Sequence, residues 1–156
     1  MKRLRKRSLV SLVACAILVV AGIVAATSAS ASIYDDGTDP AVKCAQDAST
    51  ILFVPMTPPG GGSVVTYAEV RYSPSCGTNW LRIENPFPSG SHVVQMNLRR
   101  VGTQGAFFYP TRTGTLWTTN VYAPGSTCVE YQALIVDLST NQTVAMAGTV
   151  GWTTVC

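Results

Sequence analysis

Charge and histidine are scarce in this chain, and long apolar runs are confined to its first residues. Only 12% of the 156 residues are charged, and His92 is the only histidine. Any Ser–His–Asp or Cys–His catalysis would therefore have to use that one imidazole. No CxxC is present, which with a single histidine argues against tetrahedral zinc. No G-x-S-x-G precedes a helix. After Asp47 no long segment shows helical periodicity, and after residue 31 no apolar run is long enough to span a bilayer. Internal repeats and interdomain linkers are absent as well.

What is there begins with an export signal. Lys2, Arg3, Arg5, Lys6 and Arg7 form a basic head, Ser8 to Ala26 is almost uninterruptedly apolar, and Ala29-Ser30-Ala31 offers a small-x-small cleavage pattern. The reading is a signal peptide over residues 1–31, with a secreted, extracellular mature chain beginning at Ser32. Two alternatives are weighed. The leader could stay uncleaved as an anchor, and Leu12-Val13-Ala14-Cys15 resembles a lipoprotein box, although apolar residues follow it. Five of the 11 Lys and Arg lie in the leader, which leaves six against eight acids and a mature formal charge of −2. That balance removes the support for a nucleic-acid partner, which would need clustered cations. The remaining 125 residues suffice for a single domain over 32–156 with a modest core.

Four cysteines remain in the mature chain: Cys44, Cys76, Cys128 and Cys156. An even count in an exported domain implies two disulfides. Of three connectivities, the preferred one joins sequence neighbours, Cys44–Cys76 and Cys128–Cys156. Each would close a loop of about 30 residues and contribute roughly 3–4 kcal/mol.

The rest reads as an all-β domain, a small antiparallel barrel or sandwich with one short N-terminal helical turn. Gly or Pro punctuates stretches rich in Thr, Val, Tyr and Trp. Asp39 suits an N-cap and Pro40 the first position of a turn continuing to Ala48. Strands are expected at Thr50–Met56, Ser63–Ser73, Thr78–Asn85, His92–Val101, Ala106–Arg112, Leu116–Ala123, Cys128–Leu138 and Thr143–Val155. In one hairpin Val64, Thr66, Ala68, Val70 and Tyr72 alternate with Val65, Tyr67, Glu69, Arg71 and Ser73, and the first set is the buried face. Leu81 and Ile83 point inward; Trp80, Arg82 and Glu84 point outward. The four-residue loop Pro74-Ser75-Cys76-Gly77 would pair Ser73 with Thr78. Arg71 then faces Trp80 as a cation–π pair and Glu69 faces Arg82 as an ion pair. The last hairpin, folded about Ser139–Gln142, leaves Cys128 opposite Thr153. Bulges at Gly148 and Gly151 would have to absorb the excess before Cys156 could pair.

Asp39-Pro40, Cys44, Asp47-Ala48 and Thr50, followed by Glu69-Val70-Arg71-Tyr72-Ser73-Pro74, Cys76 and Trp80-Leu81-Arg82-Ile83, resemble the YjfA-type family of exported bacterial domains, common in actinomycetes. The match is clear from Gly37 to Ile83 and fainter through Tyr109-Pro110-Thr111 to Cys128. Leu81 stands where the family pattern has a small residue. The resemblance implies export, a Cys44–Cys76 bridge and a compact β domain. It implies no activity, the family being a domain of unknown function.

Each candidate site has an ordinary structural alternative. Asp35-Asp36-Gly37-Thr38-Asp39 could bind calcium, but it lacks EF-hand spacing, and a solvated turn with Asp39 as a cap is preferred. Glu69, Arg71, Trp80 and Arg82 could form a binding patch for sugars or peptides, or a ladder that stiffens the sheet. His92 is read as an exposed loop–strand residue. Glu69, Glu84, Glu130 and Asp137 are scattered over strands and define no glycosidase pair. Trp117, Tyr122, Tyr131 and Trp152 are read mostly as core, with one or two free to stack on a sugar. Asn141-Gln142-Thr143 is a sequon read as a polar turn.

The functional expectation is a non-enzymatic binding or cell-surface module for cell-wall polysaccharide or another exported protein, without cofactor or metal. The alternative is a protease inhibitor presenting Pro58–Gly62 or Asn85–Ser91, the first weakened by Gly60-Gly61-Gly62. A small hydrolase ranks last.

Overall fold

The computed structural model describes residues 31–156 with the exception of Gln104. The basic head, apolar stretch and Cys15 assigned to the leader lie outside the described residues. No helix among the described residues is long and apolar enough to cross a membrane.

Two 3₁₀ turns, Ile33–Asp35 and Cys44–Gln46, precede ten strands. These are β1 (Ser49–Thr57), β2 (Thr66–Ser73), β3 (Thr78–Asn85), β4 (His92–Arg100), β5 (Gly105–Phe108), β6 (Gly114–Trp117), β7 (Val121–Tyr122), β8 (Val129–Asp137), β9 (Gln142–Ala147) and β10 (Thr153–Val155). Every pairing is antiparallel, in the order β5-β4-β8-β9-β1-β2-β3-β6, with β7 also on β3 and β10 on β8. The sheet rolls into a nearly closed barrel. Its open seam lies between β5 and the β6–β7 edge.

The β2–β3 hairpin has the register that alternation and loop length require: Ser73 opposite Thr78, Arg71 opposite Trp80, Glu69 opposite Arg82. The Gly77 N–H closes the loop on the Ser73 carbonyl at 2.8 Å. Gly77 sits at φ +62°, and a Cβ there would lie 3.0 Å from Pro124 Cβ, so conformation demands glycine and space is tight. Thr66, Ala68 and Val70 are buried as expected, but Val64 precedes β2 and is exposed.

One expected strand is shortened and two are divided. The strand expected over Ala106–Arg112 ends at Phe108; beyond it Pro110 and Thr111 carbonyls still accept from Val94 and Gly90. The strand expected over Leu116–Ala123 breaks after Trp117, because the Thr118 hydroxyl takes over the Leu81 N–H and Asn120 turns its backbone to the N-terminal segment. The strand expected over Thr143–Val155 becomes β9 and β10. A bulge between Ile135 and Val136 and the excursion 148–152 together take up the excess length, so Val155 pairs with Val129 and Cys156 reaches Cys128.

The barrel interior holds Met56, Val70, Leu81, Ile83, Met96, Leu98, Leu116, Tyr131 and Ile135, all nearly inaccessible. Burial raises the Tyr131 phenol pKa above its ordinary value, partly offset by the Thr153 hydrogen bond. A second, smaller apolar cluster lies on the outside of the barrel. There Cys44, Cys76 and Trp80 pack together, flanked by Ala48 and Trp117. The segment 33–48 crosses this outer face as a strap. The strap is tied by Gly37 N to Asn120 O and Asn120 N to Thr38 O, each 2.8 Å, and by Tyr122 N to Asp36 Oδ1. At its far end Asp47 accepts from Ser73 Oγ at 2.6 Å and Ser75 N at 2.9 Å. Cys44–Cys76 and Cys128–Cys156 are both bonded, the connectivity joining sequence neighbours, which indicates an oxidising compartment.

Removing the first bridge with Cys44→Ala and Cys76→Ala is expected to lower unfolding free energy in urea by about 3–4 kcal/mol. Tryptophan emission should shift to the red as Trp80 is uncovered. Unshifted emission would show that the strap stays seated without its bridge.

Candidate functional site

The outer face of β2, β3 and β6 carries the residues singled out from sequence. Glu69, Arg82 and Trp117 stand opposite one another on adjacent strands, with Phe53 of β1 opposite Glu69. Glu69 is the hub. Its two oxygens accept from Arg82 Nη2 at 2.7 and 2.8 Å, Oε2 accepts from Thr50 Oγ1 at 2.7 Å, and Arg71 Nη1 lies 3.8 Å away. Burial pushes the Glu69 carboxyl pKa up. Donation by Arg82 and Thr50 and the fields of Arg82 and Arg71 outweigh it, leaving the pKa below the ordinary value.

Trp80 departs from expectation. It lies on the outer face as derived, yet it is only 3% exposed, because the disulfide and strap cover it. The expected Arg71–Trp80 cation–π pair is replaced: Arg71 donates to Thr50 Oγ1 at 2.8 Å and the Ala48 carbonyl at 2.9 Å. Trp80 is thus a packing residue of the strap. Only its margin reaches a cleft of about 240 Å³, which is lined also by Pro40, Ala41, Arg71, Arg82 and Trp117.

Trp117 is the aromatic the cleft presents. Its Nε1 donates to Asp39 Oδ1 at 2.9 Å, and the same oxygen accepts from Ala41 N, so the cap of the strap also sets the indole. Trp117 and Pro40 also line a second cleft, of about 200 Å³, with Asp39, Phe108 and Arg112. The Arg112 Cζ stands 5.9 Å from the Trp117 ring. Aromatic rings and cationic forks around shallow clefts can stack on sugar faces and bond to hydroxyl or carboxylate oxygens.

Two other aromatic groups lie outside these clefts, one on Phe53 and Tyr67 and one on Trp152, which was among the aromatics read mostly as core. Phe53 and Tyr67, 56% and 43% exposed, stack at 4.4 Å. Trp152 packs under Arg99 at 4.0 Å with Phe107 at its edge. The first had a signal in the outward alternation of β2; the second depends on the return of β10, which no local pattern announces. A cleft of about 300 Å³ at the seam is lined by Asp36, Arg100, Gly105, Asn120 and Tyr122 among others.

The remaining candidates have structural partners. Asp35 pairs with Lys43 at 3.1 Å, Asp36 binds Tyr122 N and Asp39 binds Trp117. Asp35 also lies near Cys44 and Cys76, whose sulfurs are consumed by the disulfide. Glu130 bonds to Arg99, Glu84 to Thr115. His92 is 9% exposed rather than exposed: it stacks on Phe87 at 3.8 Å, with Ser91 Oγ 2.8 Å from Nδ1 and Asp137 Oδ2 3.7 Å from Nε2. Ser91 Oγ also donates to Pro88 O at 2.6 Å, and none of the three clefts described borders Ser91, His92 or Asp137. The group closes one end of β4 and β8 and does not present a nucleophile. The Asp137 pKa is lowered by hydrogen bonds from the Ser139 side chain and the Ser139 and Thr140 backbone. Asp47 is lowered in the same way, chiefly by Ser73.

Comparison of the chain with protein-family models, with curated proteins and with solved structures finds no match.

The depressed carboxyls give a pH prediction. Unfolded carboxyls titrate near ~4, so the stability Glu69 and Asp47 confer is complete above about pH 5 and is lost as pH falls through their lower folded values. Glu69→Gln is expected to flatten the decline of the urea midpoint in that acid window. An unchanged slope would show that Glu69 is not a source of it.

Proposed function

We propose that this chain is an exported, non-catalytic binding module, and that the strap-walled outer face beside Trp117 takes a polysaccharide of the cell wall or extracellular matrix. One observation carries the reading: a partly exposed indole, oriented by Asp39, forms the shared wall of two shallow clefts with arginine forks on both sides. Such pre-orientation lowers the ordering cost of binding. Two disulfides in a low-charge domain suit a protein working outside the cell. The export leader over residues 1–31 and the resemblance to YjfA-type exported bacterial domains support export, not a particular ligand.

One feature favours a second reading, inhibition of an exported protease. The 85–91 loop is braced by Phe87 N to Asn85 Oδ1, Ser91 N to Pro88 O and Gly90 N to Thr111 O, as a rigid inhibitory loop requires.

Co-sedimentation of the oxidised secreted protein with insoluble cell wall, chitin and cellulose tests the first reading. Salt-resistant binding is expected, and Trp117→Ala should weaken it by at least about tenfold, or ~1.4 kcal/mol. Trp80→Ala is expected instead to destabilise the fold by about 3–5 kcal/mol. Retained binding in Trp117→Ala would move the site elsewhere. Failure on every matrix would leave the inhibitor reading, tested by a panel of secreted proteases.

A further inference from the structure

Resting on the polysaccharide reading, we infer that the ligand is a carboxylated glycan and that Arg112 is the residue that reads the carboxylate. Lys43 is neutralised by Asp35, Arg99 by Glu130, and Arg71 and Arg82 share Glu69. Among the described residues Arg112 has neither a carboxylate partner nor a side-chain hydrogen bond; its only contact of this kind is the Trp117 ring, at 5.9 Å. Its backbone carbonyl, by contrast, is used by Asn85 Nδ2 at 2.8 Å. The main chain at Arg112 is therefore fixed while its guanidinium is uncommitted.

The two clefts together carry three cations, Arg71, Arg82 and Arg112, against Asp39 and the Glu69 that the first two share. Asp39 lines the Arg112 cleft too, but its Oδ1 is occupied by the Ala41 and Trp117 N–H groups. The two clefts thus carry a net charge of +1, and the exposed Arg112 is the one of these three cations whose guanidinium has no carboxylate or hydrogen-bond partner. A planar guanidinium matches a carboxylate in a two-point fork. A pyranose ring offers a flat apolar face to the indole, whereas a glycerol phosphate chain has no ring to stack. Trp117 separates the clefts, so consecutive sugar units fit one on each side. One unit lies by Arg71 and Arg82, and the next turns its carboxylate toward Arg112.

The test uses the oxidised secreted protein at physiological ionic strength, titrated calorimetrically with polygalacturonate, its methyl ester, cellulose and chitin oligosaccharides, and poly(glycerol phosphate). Polygalacturonate is expected to bind at least about tenfold tighter than its ester. Arg112→Gln should abolish that margin, weakening binding of the acid by about tenfold more than binding of the ester. Equal affinity for acid and ester, a margin that survives Arg112→Gln, or tighter binding of poly(glycerol phosphate) would each overturn this inference while leaving a glycan site at Trp117 standing. Binding of none of these polymers would overturn both.

Discussion

The packing of the Cys44–Cys76 bridge on Trp80 is the contact on which the outer architecture depends. A β-barrel of this size normally turns polar side chains to solvent on its outside. Here the outside carries a second apolar cluster, and only the strap makes that cluster tenable. The covalent bond holds the strap against the β2–β3 loop, with the two Cα atoms 5.8 Å apart. With the strap in place, Asp39 meets Trp117 and the carbonyl of Ala48 meets Arg71. Cleft, indole orientation and arginine placement are therefore consequences of one buried sulfur–aromatic contact.

The polar groups follow the same logic. Glu69 gathers Arg82, Arg71 and Thr50 from three strands, and its lowered pKa is the signature of an anion better satisfied folded than unfolded. Such a hub stiffens the sheet, which was the ordinary reading of these residues. It does not compete with a binding role, because it holds Arg82 at the margin of the cleft while leaving the cleft open. Arg112 is different, being exposed and uncommitted. A binding face needs both kinds of cation, one to hold shape and one to meet a ligand.

Much of the fold was legible in local pattern. Alternation from Thr66 to Ser73, a four-residue loop and charge-compatible pairs gave the β2–β3 register directly. Sequence-neighbour pairing of the cysteines also anticipated both bridges. What was illegible depends on distant segments. Alternation assigns Trp80 to a face but says nothing about a strap arriving from more than thirty residues away. His92 was read as exposed because its cover comes from Phe87 and Asp137, which local reading does not bring to it. The interruptions of the expected strands arise where side chains or backbone turns replace ladder bonds, as at Thr118. Trp117 emerged as the cleft aromatic only when Pro40, Asp39 and Arg112 were placed around it.

The chain has three tryptophans, and their indole N–H signals offer a direct readout of where a glycan sits. The decisive measurement is an NMR titration of the isotopically labelled, oxidised protein with polygalacturonate oligosaccharides, following Trp80, Trp117 and Trp152. The account predicts that the Trp117 signal moves with saturation, that Trp80 moves little because it is covered, and that Trp152 stays in place. A shift confined to Trp152, or saturable binding that leaves Trp117 unmoved, would contradict it.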